Sequence, residues 1–277
     1  MPERLIPEPV KPEPVKTVRR SCVFSDLNTL EYKRALDLQL TFLNAKINNP
    51  LEPDRLLLVE HPRVYTLGRR GGRENLIVSE EFLSSHGIKI VQTQRGGNIT
   101  FHGPGQAVLY PIIDLVRAGI GVADFVHGME EVMKQTVKEF GIFADRSKKN
   151  HGLWVGNKKI GSVGISIKKG VSIHGLALNV CLDLTPFSWI NPCGLENVAM
   201  TSIAWEAAKS TKSEDKKFEA EEYEGKNHKD GKGNIRDPDL MKISSHILVQ
   251  QFSTIFDIDI IREQPCVIQT NPFLNPE

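Results

Sequence analysis

A chain of 277 residues with 40% hydrophobic residues and a formal charge of +1 holds enough apolar material for one large domain, and it is neither a disordered tail nor a basic nucleic-acid binder. No apolar run approaches the roughly 18 residues of a membrane span, and the first 20 residues lack a signal-peptide core, so the expectation is a soluble protein outside the secretory route, in which the sequon at Asn98 carries no meaning. The four cysteines, Cys22, Cys181, Cys193 and Cys266, lie far apart without C-x-x-C spacing, which argues against a disulfide framework and a zinc site.

Residues 1–20 contain PEPVKPEPVK, a Pro-rich repeat that builds neither helix nor strand and is expected to be a disordered arm. Its Glu3, Glu8 and Glu13 make it a poor mitochondrial presequence. Asn28 with Glu31 reads as a helix start, and Leu36, Leu40, Leu43 and Ile47 continue at helical spacing to about Asn48 before Pro50. Short β-rich runs follow at 55–60, 64–67 and 88–93, then an apolar ribbon over 98–115 broken by Gly103-Pro104-Gly105. The clearest helix spans 122–141, with Val122, Phe125, Val126, Met129, Val132, Met133, Val137 and Phe140 on one face. Three strands are expected at 153–155, 160–167 and 171–182, joined by turns at Gly156-Asn157 and Lys169-Gly170. Residues 207–239 are charged and nearly free of large apolar side chains, which marks a surface insertion; helical spacing returns from Met241 to Phe256. Together these elements predict one α+β domain over 21–264, a mixed sheet flanked by helices, with a tail from 265 to 277.

Most lone cysteines are small buried hydrophobes. Cys22 and Cys181 fit that description inside apolar runs, and Cys266 is near the tail. Cys193 differs, because it sits in Asn191-Pro192-Cys193-Gly194, where Pro192 stiffens the approach and Gly194 lets a substrate come close. A thiol with a reference pKa of about 8.5 is mostly protonated at neutral pH, so such a nucleophile needs a nearby cation or base. Lys159, at the mouth of a strand and followed by the small Gly161 and Ser162, is the candidate, against the alternative of an ordinary exposed lysine. A second constellation, Arg95-Gly96-Gly97-Asn98-Ile99-Thr100-Phe101-His102 before Gly103-Pro104-Gly105, offers backbone N–H groups and polar side chains to a ligand, or is simply a glycine-rich hairpin. It matches neither a phosphate loop nor a dinucleotide fingerprint. His174-Gly175 stays equally open between a structural histidine and a pocket edge. No histidine pair has metal-ligand spacing, so no metal is expected.

The four segments RGGNITFHGPGQ, KKIGSVGI, SIHGLALNV and INPCGLENVAMTSI, in that order, closely resemble the lipoyl(octanoyl) transferase family over roughly residues 55–205. The resemblance implies the α+β fold of biotin and lipoate protein ligase catalytic domains. It implies transfer of an octanoyl group from octanoyl-acyl carrier protein to one lysine of an apo-lipoyl domain, as found in 2-oxoacid dehydrogenase E2 subunits and the glycine cleavage H protein. Cys193 then matches the acyl-thioester cysteine and Lys159 the lysine that tunes it or relays its protons. Arg95 to His102, Ser162-Val163-Gly164 and Gly175-Leu176-Ala177 match pocket segments. No ATP, metal, nucleic-acid partner or membrane span is implied. Asn98 and Phe101 depart from the family's usual residues, and the 207–239 insertion lengthens the distal region. The runner-up is an ATP-dependent lipoate or biotin protein ligase of the same fold, for which the Pro-Cys-Gly loop is unnecessary; an acyl-binding module is disfavoured by the presence of both Cys193 and Lys159. The insertion and arm suggest a mitochondrial enzyme, with bacterial cytoplasm as the alternative.

Overall fold

The computed structural model describes residues 19–147, 151–191, 198–210, 228–229 and 235–262. In chain order the elements are β1 (Arg20–Thr29), α1 (Tyr32–Asn48), β2 (Asp54–Glu60), β3 (Val64–Leu67), α2 (Glu80–Ser85), β4 (Lys89–Gln92), β5 (Ile99–His102) and β6 (Gln106–Ile112). There follow α3 (Leu115–Ala118), α4 (Val122–Lys138), β7 (Asp145–Arg146), β8 (Leu153–Val155), β9 (Lys158–Lys168) and β10 (Val171–Asn179). The last are β11 (Ala199–Met200), α5 (Ile203–Ser210), β12 (His228–Lys229), β13 (Ile235–Arg236), α6 (Pro238–Phe256) and β14 (Ile258–Arg262).

The main sheet runs β14-β1-β2-β6-β10-β9-β8-β7, with β11 beside β9, and is mixed: β1 is parallel to β14 and β2, whereas β2, β6, β10, β9 and β8 are antiparallel in turn. Helices cover both faces. Leu56 and Leu58 of β2 face one core with α4 (Phe125, Met129, Val132, Met133, Val137) and α6 (Leu248, Val249, Phe252). Leu57 and Val59 face the other core with Ala35 and Leu43 of α1. That is why β2 reads as a continuous apolar run, and why all nine residues of β10 are buried. The smaller sheet, β4-β3-β5, has its own core of Tyr65, Leu67, Leu83, Phe101 and Phe187.

The mixed sheet and its flanking helices agree with the sequence reading, and several boundaries move. Asn28 does not cap α1: it lies in β1, next to its last residue, with φ 49°, and Glu31 caps the helix, its carboxylate accepting from the Lys33 and Arg34 amides. Glu31 wins because it directly precedes the first helical residue, where a side-chain acceptor reaches the unpaired N–H groups. In α4 the stripe is narrower than predicted, with Val122 exposed at the first turn. β1 begins at Arg20, within the expected arm, and Arg19 pairs with Asp257 and Asp259 at 2.7 and 3.0 Å. The strand over 171–182 ends at Asn179. The charged insertion is entered by α5 as far as Ser210 and left at Asp237, whose side chain caps α6. Residues 1–18 of the arm, most of the insertion and the 265–277 tail with Cys266 lie outside the described residues.

Gly175 fixes the spacing of β10 and β6. A Cβ there would lie 1.9 Å from the Leu109 carbonyl oxygen and 2.9 Å from Cδ of Pro111. Gly175→Ala therefore has to push the two central strands apart, and is expected to cost about 3 kcal/mol of stability. The drop in urea midpoint measures it; an unchanged midpoint would show that the strands separate at no cost.

Candidate active site

Three of the four sequence segments, through residues 95–102, 159–165 and 174–177, converge on one cavity of about 490 Å³ on the main sheet, and no described residue of the fourth lines it. Its base is β9 and β10, where Ser162 pairs with Ala177 and Gly164 with Gly175, so that small residues leave room above the strands. Its roof is the segment after β4: the Gly96 amide donates to the Ile165 carbonyl at 2.9 Å, bracketing β9. A Cβ on Gly164 would lie 3.2 Å from the Gly96 oxygen, so the bracket sits close because both residues are glycine. Of the residues singled out in sequence, Arg95, Gly96, Gly97, Asn98, Ile99, Thr100, His102, Lys159, Ser162, Val163, Gly164, Gly175, Leu176 and Ala177 line this cavity. Phe101 does not. Its ring packs 5.5 Å from Tyr65 and 5.6 Å from Phe187 in the small-sheet core, because alternate residues of a strand point to opposite faces. Cys193, with its neighbours from 192 to 197, lies outside the described residues.

Lys159 is 2% exposed at one end of the cavity, its ammonium 5.5 Å from the centre of the Trp154 ring. Lys158, half-buried beside it, has its pKa lowered by Lys209, a like charge at hydrogen-bond range. β11 runs parallel to the start of β9, pairing Ala199 with Lys158 and Met200 with Lys159, and the Thr201 amide donates to the Lys159 carbonyl at 2.9 Å. The chain that follows residues 192–197 is thus held against Lys159, while the chain before them is tied at Asn191, whose amide donates to Asn75 O at 2.8 Å.

Arg95 does not face a ligand with its full guanidinium. Nε and Nη2 bond Thr66 Oγ1 at 3.1 and 2.9 Å, and Nη1 bonds the Gly96 carbonyl at 2.9 Å, so it braces the roof. His102 is equally committed. The Gln106 amide nitrogen donates to Asn179 Oδ1 at 3.0 Å, so Gln106 Oε1 must accept, at 2.7 Å, from His102 Nδ1. Asn179 then donates to the Thr201 carbonyl at 2.9 Å. One directed chain of hydrogen bonds thus runs from the roof to β11.

His174, left open in sequence between a structural role and a pocket edge, lines the cavity, and sequence reasoning missed its companions Tyr32, Val108 and Tyr110. Tyr32 stacks on His102 at 5.9 Å, and His61, behind them, bonds the Leu30 carbonyl through Nδ1 at 2.7 Å and the Tyr110 hydroxyl through Nε2 at 2.8 Å. His61 must be protonated on Nδ1, so the hydroxyl donates to Nε2. Desolvation lowers the pKa of His61 to about 4 and that of His102 to about 3. His174, 2% exposed, is lowered to about 3 by burial first and by Arg95 and Arg69 second. Within a strand it holds φ 62°, a left-handed backbone costing a non-glycine residue about 1 kcal/mol, and its amide is fixed by Gln39 Oε1 at 2.9 Å. Among the described residues its Nδ1 has no hydrogen-bond partner. The partners of His61 and His174 lie tens of residues away, so of these groups only the His174-Gly175 pair was visible in sequence.

The model of the lipoyl protein ligase A/B catalytic domain family matches residues 31–221. An octanoyltransferase of Desulfotalea psychrophila is 47% identical over 184 residues, covering 66% of this chain and 82% of that protein. The chain belongs to the octanoyltransferase family. The octanoyltransferase of Maridesulfovibrio salexigens is 43% identical over 203 residues, 73% of this chain and 94% of that one. Membership makes the chain an acyltransferase. Among solved structures, a putative lipoate protein ligase from T. acidophilum with bound lipoic acid shares the fold at a TM-score of 0.59 and 16% identity, covering 89% of both chains. Lipoate-protein ligase A bound with ATP does so at 0.57 and 14%, again with 89% of both covered. Among the described residues no helix is long and apolar enough to cross a membrane, and no group of three or more His, Cys, Asp or Glu could hold a metal ion.

Beside Lys159, Gly152 holds φ 122°, and its amide donates to the buried Glu130 carboxylate at 2.8 Å. A Cβ there would meet Gly161 O at 2.4 Å and Lys159 Cε at 2.7 Å. Gly152→Ala is expected to displace the ammonium and to lower octanoyl transfer about 10²-fold, read as kcat/KM. Unchanged kcat/KM would mean that the position of Lys159 does not matter.

Proposed function

We propose that the chain moves an octanoyl group from octanoyl-acyl carrier protein to the acceptor lysine of apo-lipoyl domains, with Cys193 as acyl carrier and Lys159 as its proton partner. The observation that carries this reading is a buried lysine at one end of an acyl-sized cavity, with β11, separated from the Pro-Cys-Gly segment by residues 195–198, tied to its backbone. The octanoyltransferase relatives supply the acyl group.

In the first step the Cys193 thiolate attacks the donor's thioester carbonyl. A new C–S bond forms and the pantetheine thiolate leaves, taking a proton. One thioester replaces another, so the step is nearly balanced. An ammonium near the thiol favours the thiolate, and the glycine-rich backbone offers N–H donors for the tetrahedral oxyanion, each worth about 3 kcal/mol. In the second step the neutral acceptor amine attacks the Cys193 thioester, a C–N bond forms and the C–S bond breaks. The proton lost from nitrogen passes through Lys159 to the departing thiolate. An amide is more stable than a thioester, so the sequence runs downhill without ATP, and no metal enters it. The acceptors of this reading are the lipoyl domains of 2-oxoacid dehydrogenase E2 subunits and the glycine cleavage H protein. The bacterial sources of the relatives favour the cytoplasm over the mitochondrion as its place of work.

The test incubates the protein with octanoyl-acyl carrier protein and an apo-lipoyl domain, without ATP. An octanoylated domain is the expected product. Acylation that appears only with free octanoate and ATP would replace the transferase by a ligase.

A further inference from the structure

The cavity's lining runs along β9 from Lys159 to Ile165 and along β10 from His174 to Ala177. Ile165, opposite His174, stands six positions beyond Lys159 on β9, so the histidine lies about 20 Å along the strand from the lysine. A lysine side chain plus an eight-carbon chain reaches roughly that far. His174, Tyr110, Tyr32 and His102 line the same cavity. Tyr110 is held by His61, His102 by Gln106 and by stacking on Tyr32, and His174 through its amide by Gln39. His61 and Gln106 restrain the rings of Tyr110 and His102, and the Gln39 bond fixes the backbone from which the His174 ring projects. His174 alone among them presents a buried ring nitrogen, Nδ1, that no described residue satisfies, and it holds a left-handed backbone to do so.

We propose that His174 is the end wall of the acyl cavity and sets the longest chain the enzyme transfers; the inference rests on the octanoyl-transfer reading above. A chain that stops short of the ring leaves the wall in place. A chain four carbons longer has to displace a ring that is itself buried at the cavity's lining, which selects against it about tenfold or more.

The substitution His174→Gly tests this, because glycine adopts φ 62° without strain and the backbone bond to Gln39 needs no side chain. His174→Asn, which also tolerates the left-handed backbone, is a second variant with a smaller opening. Transfer to a lipoyl domain is measured with octanoyl- and dodecanoyl-acyl carrier protein. The dodecanoyl-to-octanoyl ratio of kcat/KM is expected to rise at least about tenfold in the glycine variant, with asparagine between it and the wild type. Unchanged ratios in both variants would overturn the end wall. Calorimetric binding of free octanoate and dodecanoate is read in parallel, so that the two ideas fail separately. If the wild type transfers neither acyl group, the transfer reading falls, and dodecanoate binding decides alone: gained in the glycine variant it supports the wall, and equal in both proteins it overturns it.

Discussion

Octanoyl transfer by the Lys159→Met variant falls by about 10²–10⁴-fold in kcat/KM, the range expected when a positioned proton donor and acceptor is removed. Methionine keeps the unbranched stem, so the packing against Trp154 and Gly152 is retained and the fold stays intact. The size of the effect follows from burial. At 2% exposure little water reaches this end of the cavity to take the lysine's place, either as counter-charge or as proton carrier. Lys159→Arg separates the two roles. A guanidinium keeps the positive charge but does not give up its proton, so formation of the acyl-enzyme should survive better than its transfer to an amine. Single-turnover kinetics read the two steps apart. Full activity in both variants would remove Lys159 from the chemistry.

Acid destabilises this protein steeply between pH 6.5 and about 4. His61, His102 and His174 are buried and neutral, with pKa values lowered to about 4, 3 and 3 against about 6.5 for an unfolded histidine. Above pH 6.5 neither state is protonated at these sites, and stability does not depend on them. As pH falls through 6.5 the unfolded chain takes up three protons that the folded one refuses, and each histidine withdraws about 1.4 kcal/mol per pH unit. Together they withdraw about 4 kcal/mol per pH unit near pH 5, against a typical total of about 5–15 kcal/mol. Urea midpoints at pH 7, 6 and 5 should therefore drop sharply below 6.5. His61→Gln keeps an amide donor for Leu30 and should flatten the slope by about one third. Equal stability at pH 7 and 5 would mean that these rings take up protons in the folded state.

Much of this architecture was legible because the decisive signals were local. The stripe from Phe125 to Val137 repeats at helical spacing, and it does face the sheet. The two-residue connections at Gly156-Asn157 and Lys169-Gly170 lie where turn chemistry puts them, with positive φ at Gly156, Lys169 and Gly170. What stayed hidden was long-range. Nothing local says that β3 pairs parallel with β4 and antiparallel with β5. Glycines 96, 164 and 175 match pocket segments in sequence, but only the register shows that Gly164 pairs with Gly175 and lies under Gly96. Arg95 and His102 looked like ligand contacts because polar residues among glycines suggest a pocket, yet their polar atoms are largely engaged by Thr66, Gly96 and Gln106. Tyr32, Tyr110 and His61 gave no sign, since a buried polar aromatic is recognised only by a partner that the fold brings from far along the chain.

The central claim, a covalent acyl-enzyme on Cys193, is tested most directly by intact-protein mass spectrometry of the wild type and of Cys193→Ala after mixing with octanoyl-acyl carrier protein in the absence of ATP. The account predicts a hydroxylamine-labile octanoyl adduct on the wild type and none on the variant. The same adduct on both proteins, or none on a wild type that still octanoylates a lipoyl domain, would contradict it.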